Sequence, residues 1–292
     1  MTTLVTITVE DRSQSKAEEA IGRAFDEMDR VVALLTRFES ASPLAVLNDT
    51  GRLAEPPPEL CAVIEHALWL HRLSDGAFDP TVAPLVDLYQ VHFAAHGGPP
   101  DAAERREVLE LVGAQCVKVD ERTLRLDHAG MALTLDGIGK GFIVDRMVET
   151  LASHGVQHAL VNAGGDIRAL GTHANGRPWR VGVQHPRQAD ALVETLDLAD
   201  MAVATSGDYV RFHDVERRHH HTIVPSTGLS PDTIASVSVK APSALRADAL
   251  ATGVFVLGSE GGMRLLARVE GSAGLILTRA GARFTSVGWP AR

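Results

Sequence analysis

TLDGIGKGFIVDRMVETLASHGVQHALVNAGGDIRALG, residues 134–171, decides the architecture. Glycines 137, 139 and 141 open the stretch, and Ile143, Met147, Val148 and Leu151 then recur at helical spacing up to Gly155, a helix-ending glycine. HALVN (158–162) reads as a strand running into the turn AGGD (163–166). A helix and a strand are thus joined by only a few residues.

Upstream, the opening MTTLVTITVE alternates like a strand. Ser15 and Glu18 form a capping box for an amphipathic helix carrying Ile21, Phe25, Met28, Val32 and Leu35. A second helix is predicted after Pro56-Pro57-Pro58, through Leu60, Val63, Ile64, Ala67 and Leu68, ending before Gly76. GAFDPTVAPLVDLY (76–89) is too rich in Pro and Gly for a helix or a strand. GGPPD (97–101) marks a loop, followed by a short helix at 102–112 and a hairpin at 116–127.

Downstream, WRVGV (179–183) and SVSV (236–239) alternate as strands, SALRADALATGVFVLG after Pro242 has a helical composition, and AGLILT and ARFTSV supply two last strands. Strands and helices mix without a regular βαβ period and without an internal repeat. The expected fold class is therefore α+β, with mixed or antiparallel sheets and packed helices, in one domain over residues 1–292 that has room for two lobes.

Composition excludes several classes of function. The net charge is −9 and no Lys/Arg-rich run occurs, so the footprint of a nucleic-acid binder is missing. No apolar stretch approaches the ~20 residues of a membrane span. The opening residues lack a charged n-region and an apolar h-region, so a cytoplasmic location is expected. Cys61 and Cys116 sit singly in apolar segments and read as core.

Candidate chemistry is sparse. Gly139-Lys140 is followed by Gly141 instead of Ser or Thr, and no complete GxGxxG follows a strand, which excludes a P-loop and a dinucleotide fingerprint. The glycine turns either present backbone N–H groups to an anion or supply positive φ. Asp248 and Thr252 are four apart on one helix face. They read either as a hard-oxygen pair for magnesium or as a solvated Asp beside a Thr bonded back to its own helix. His219, His220 and His221 alternate faces in an extended chain, so all three cannot ligate one metal; one of them is a candidate base. Ser206 has no neighbours in sequence that would activate it, and no hydrolase elbow is present.

Five blocks together resemble the FAD:protein FMN transferases, the ApbE-type flavin transferases. They are GAFDPTVAPLVDLY (76–89), TLDGIGKGFIVDR (134–146), LVNAGGDIRALG (160–171), ATSGDYVRF with HHHTIVPSTG (204–228), and SVSVKAPSALRADALATGVFVLG (236–258), in the family's order. The resemblance implies Mg2+ held by Asp248, Thr252 and the carbonyl of Gly137, and FAD as substrate contacted by Met1, Ala77, Phe78, Asp79, Thr134 and Lys140. His221 matches the histidine of the family's HIIDPxTG, a candidate base. The implied reaction is attack of a Thr or Ser hydroxyl of an acceptor flavoprotein on the FMN phosphorus, with AMP leaving. Val224 replaces the Asp of HIIDPxTG, Thr134 the Asp of DLxxIAKG, and Gly139 a common Ala. An FAD pyrophosphatase and a non-catalytic FAD carrier are the alternative readings.

Overall fold

A computed structural model describes residues 3–120 and 122–290. The chain begins with β1 (Val5–Val9) and α1 (Gln14–Leu35), followed by α2 (Pro43–Thr50), β2 (Arg52–Ala54) and α3 (Pro58–Leu73). A 3-10 turn at Pro80–Val82 leads into α4 (Ala83–His96), and α5 (Ala102–Leu109) precedes the hairpin β3 (Val117–Asp120) and β4 (Thr123–Leu126). Then come α6 (Gly139–Ser153), β5 (Ala159–Ala163), β6 (Asp166–Leu170), β7 (Trp179–His185), β8 (Gln188–Leu198) and β9 (Ala202–Gly207). β10 (Ile234–Ala241), α7 (Ala244–Ala267), β11 (Ala273–Thr278) and β12 (Arg283–Thr285) complete it.

Among the described residues, seven strands form one sheet in the order β1-β5-β6-β9-β10-β11-β12, each neighbouring pair antiparallel. β2, β4 and β3 make a small sheet, and β7 pairs with β8. The α+β expectation holds. The main sheet is apolar on both faces, and strand alternation sorts the residues: Ala202 and Ala204 of β9 join the core beneath the helices, while Val203 between them packs under the β7–β8 hairpin. Small residues on the helix side let α6 and α7 lie close to the sheet and to each other.

The crossing of α6 and α7 is the tightest joint. A Cβ on Gly141 would overlap the Ala244 carbonyl and come within 2.8 Å of the Asp248 Cβ. One turn further along α6, the buried Asp145 accepts the Ala244 and Leu245 N–H groups (2.8 and 2.9 Å) at the start of α7, and the Arg168 guanidinium (2.7 Å). A buried carboxylate thereby satisfies helix-start donors that have no partner within the helix. Asp145→Ala takes this partner from Arg168 and leaves α7 only its Ser243 cap, whose hydroxyl accepts from Arg246 N at 3.3 Å, and is expected to cost about 3 kcal/mol in urea unfolding. A loss below about 1 kcal/mol would mean that α7 does not depend on the Asp145 carboxylate.

Three expectations need correction. The first helix is capped by Ser13, whose hydroxyl accepts from Lys16 N at 3.4 Å, and Ser15 already lies inside it. Ser13 is the residue still in extended conformation, φ −108° and ψ 110°, as a cap must be. Residues 76–89 are largely helical, because Pro80 and Pro84 fall in first turns, where a missing N–H costs nothing. The last helix continues past Leu257 to Ala267, kinked at Gly258 with φ 74°. Cys61 and Cys116 are half-buried free thiols at the edge of the core. No helix among the described residues is long and apolar enough to cross a membrane.

Candidate active site

A cavity of about 450 Å3 opens where the end of α1, α6, α7 and the end of β9 meet, a volume suited to a large organic ligand. Ala77, Phe78, Asp79, Thr134, Gly137, Lys140, His221, Asp248 and Thr252 all line it. Of these, residues up to 175 apart in sequence, Ala77 and Thr252, converge on one space. Met1 lies outside the described residues; Thr3 lines the cavity near the β5–β6 turn, where Gly164 has φ 59°.

One wall is the turn before α6. The Thr134 hydroxyl accepts from Asp136 N (3.2 Å), and Thr134 N donates to the Pro80 carbonyl (2.8 Å), so the small residue organises two loops. Gly137 sits against α7: a Cβ there would stand 3.1 Å from the Thr252 hydroxyl. Gly141 N donates to the Asp248 carboxylate at 3.0 Å, coupling the start of α6 to the α7 carboxylate. The Ser206 and Thr252 hydroxyls lie 3.3 Å apart, which aligns the Thr252 side chain.

Asp79 is used differently from a simple ligand contact. Its carboxylate accepts from Thr81 N (2.8 Å), the Thr81 hydroxyl (2.5 Å) and Ala114 N (3.1 Å), and pairs with His71 Nδ1 at 3.2 Å. Its oxygens are thus committed within the protein, where they hold the 76–82 turn to Gly113-Ala114. His71 is raised above its ordinary pKa by this bond with Asp79.

Lys140 ion-pairs with Asp166, a fully buried carboxylate that the sequence presents only as a turn residue. Asp248 lies against the same pair, and no backbone N–H reaches either Asp166 oxygen. Burial opposes the charge on Lys140, but the Asp248 and Asp166 carboxylates outweigh it and hold the ammonium above its ordinary pKa. Burial, and then the Asp248 charge, push Asp166 well above the ordinary carboxylate range. One ammonium cannot match two buried carboxylates, which is why Asp166 resists ionisation beside Asp248.

A second cation beside the pair would let both carboxylates ionise. No group of three His, Cys, Asp or Glu side chains suited to a metal occurs among the described residues. Magnesium does not require one: a carboxylate, a hydroxyl and a carbonyl, completed by water and phosphate oxygens, is an ordinary donor set for it. Asp248, Thr252 and Gly137 line the cavity together, with Gly137 against the Thr252 side chain.

The three histidines diverge as their alternation requires. His219 bonds Asp214; His220 is buried edge-on against Phe255, 5.6 Å between ring centroids, and burial lowers its pKa to about 4. His221 lines the cavity, with Nδ1 3.1 Å from the Arg211 carbonyl. A carbonyl only accepts, so Nδ1 carries the proton and Nε2 keeps the lone pair. Val224, by contrast, lines an adjoining cavity of about 440 Å3 behind Pro225. The tautomer of His221 is therefore fixed by a backbone group, not by residue 224.

The loop bearing Arg211 and His221 is anchored at both sides. Asp208, fully buried, takes both Arg187 nitrogens at 2.7 Å and pairs with Arg279 at 2.9 Å. The His213 ring stacks on Phe93 of α4, 5.0 Å between centroids and 11° between planes. Asp136, Asp166, Ser206 and Arg211 are site residues that sequence reasoning missed; of these, only Asp166 gave a signal, as an acid closing a glycine turn within a matching block.

The profile of the ApbE family matches residues 1–276. The FAD:protein FMN transferase of Treponema pallidum is 34% identical, over 91% of this chain and 79% of that protein, and that of Vibrio cholerae is 32% identical over 86% and 75%. The ApbE protein of Thermotoga maritima superimposes with a TM-score of 0.86 at 31% identity, covering 98% of this chain and 94% of its own. The flavin transferase ApbE of Vibrio cholerae gives 0.83 at 30%, covering 99% and 95%. A glycine-walled cavity with its hard-oxygen donors on one helix, set in a fold shared end to end with these proteins, accords with the match: this chain belongs to the ApbE family.

Proposed function

We propose that the protein is a magnesium-dependent FAD:protein FMN transferase, which moves the FMN half of FAD onto a Thr or Ser hydroxyl of an acceptor flavoprotein and releases AMP. The observation that carries this reading is the meeting of Asp248, Thr252, Gly137, Lys140 and His221 in one cavity of a chain that matches proteins named for that reaction. The whole chain, residues 1–292, acts as one such unit.

Asp248, Thr252 and the Gly137 carbonyl would hold the metal. When bound, it neutralises charge on the pyrophosphate during displacement, a contribution of several kcal/mol. Lys140 adds a second positive charge beside the phosphates, kept ionised by the carboxylates around it. The backbone of the 76–82 turn and Phe78 face the rest of the dinucleotide. Nε2 of His221 receives the hydroxyl proton as the new O–P bond forms.

The test is incubation with FAD, Mg2+ and an acceptor domain carrying Asp-Gly-x-Thr/Ser-Gly-Ala-Thr/Ser, with flavin fluorescence followed on a denaturing gel. A fluorescent acceptor band that disappears with EDTA is the expected result. Its absence with every divalent metal tried would sink the proposal.

Burial lowers the pKa of His221, although the Arg211 carbonyl bond pulls the other way. The base is active when neutral, so the acid limb of the transfer rate should have its midpoint below the ordinary histidine value of about 6.5. His221→Ala should lower the transfer rate about 10^2- to 10^4-fold and remove that limb. A limb that persists in the variant would assign it to another group.

A further inference from the structure

Thr134 and Val224 stand where the family motifs that this chain resembles have aspartate, and neither brings a charge to His221. Yet the mouth of the cavity has a carboxylate. Asp136 lines it with its side chain 40% exposed, and its nearest charged partner is the Arg211 guanidinium at 3.7 Å. Arg211 touches both sides of the arrangement: its guanidinium faces Asp136, and its carbonyl accepts from His221 Nδ1 at 3.1 Å. The Asp136 charge also acts directly on His221, with sign opposite to that of Arg211.

The consequence appears when the proton moves. The acceptor hydroxyl gives its proton to Nε2 of His221, its oxygen bonds to the FMN phosphorus, and the phosphorus–oxygen bond to AMP breaks with the electron pair leaving on AMP. His221 is then a cation beside Arg211, also a cation. A neighbouring anion is needed to keep that pair from opposing the step.

We propose that Asp136 is the positioning residue that supplies this anion, acting through His221 and Arg211. The turn that holds it is already fixed by the Thr134 hydroxyl on its own N–H (3.2 Å), so a short side chain at 136 arrives at the mouth without a further support. The inference rests on the transferase reading and concerns the transfer step, not the binding of FAD.

The test compares the wild type with Asp136→Asn and Asp136→Glu, using FAD, Mg2+ and the acceptor domain described above. The Asn variant should lose about 10- to 100-fold in kcat for acceptor labelling with KM for FAD unchanged, and the Glu variant should recover most of the loss. A wild-type kcat in Asp136→Asn would overturn the inference. So would a raised KM for FAD at unchanged kcat, which would make Asp136 a binding residue. A wild type that binds FAD yet labels no acceptor would overturn the transferase reading, and this inference with it.

Discussion

Asp248→Asn should lower AMP release from FAD by about 10^3-fold while the protein still folds. The expectation separates two jobs of one side chain. As a carboxylate, Asp248 is the charged member of the hard-oxygen set, and losing metal assistance worth about 4 kcal/mol corresponds to three powers of ten in rate. As an acceptor for Gly141 N at 3.0 Å, it ties α7 to the start of α6. The Asn carbonyl oxygen keeps that second role, so the thermal midpoint should stay within a few degrees of the wild type. Asp248→Ala removes both, and should lose activity and stability together. AMP release by the Asn variant at the wild-type rate would discredit the metal assignment.

Gly141→Ala is the second large effect, and it acts by shape alone. A methyl group has no room between the α6 backbone, the Ala244 carbonyl and the Asp248 Cβ. Two backbones must part, which is costlier than turning a side chain. A loss of about 3 kcal/mol follows from overpacking, or roughly 5–10 °C in Tm for a domain of this size. Because the same displacement carries Asp248 away from Gly137 and Lys140, AMP release should fall at least as steeply as stability. A variant with wild-type Tm would show that the crossing of α6 and α7 is looser than described here.

The quoted stretch 134–171 was legible because each of its signals is local. Helical spacing, a glycine stop and a glycine turn need no knowledge of neighbours, and α6, β5 and the turn after it appear where those signals put them. The 76–89 segment misled for a related reason. Proline argues against helix in general but not in a first turn, and only the Asp79 cap and the 3-10 turn show where that first turn is. Likewise β8 and β9 lack a turn signal that separates them cleanly: β8 folds back on β7 in a hairpin, whereas β9 pairs with β6 and β10, farther away in sequence.

The site divides in the same way. Residues that match family blocks, from Ala77 to Thr252, could be named in advance, and the fold gathers every described one of them around a single cavity. Asp79 could be named but not understood, since its four partners come from three separate segments. Asp166 and Asp136 acquire meaning only through what stands beside them: the Lys140 ammonium and a second carboxylate for the first, an arginine and a histidine for the second. Charge balance is a property of the assembled site. The position of Val224, facing the adjoining cavity, was likewise invisible to spacing, and it removes the reason to expect a misoriented His221.

The most direct test of the central claim is the ratio of AMP released to acceptor labelled, measured in one reaction with Mg2+ and saturating FAD as the acceptor concentration rises. The account predicts a ratio approaching one AMP per covalently bound FMN, with both products abolished in Asp248→Ala. AMP that accumulates without label at every acceptor concentration would contradict it in favour of an FAD pyrophosphatase, and FAD that stays intact would contradict it in favour of a carrier.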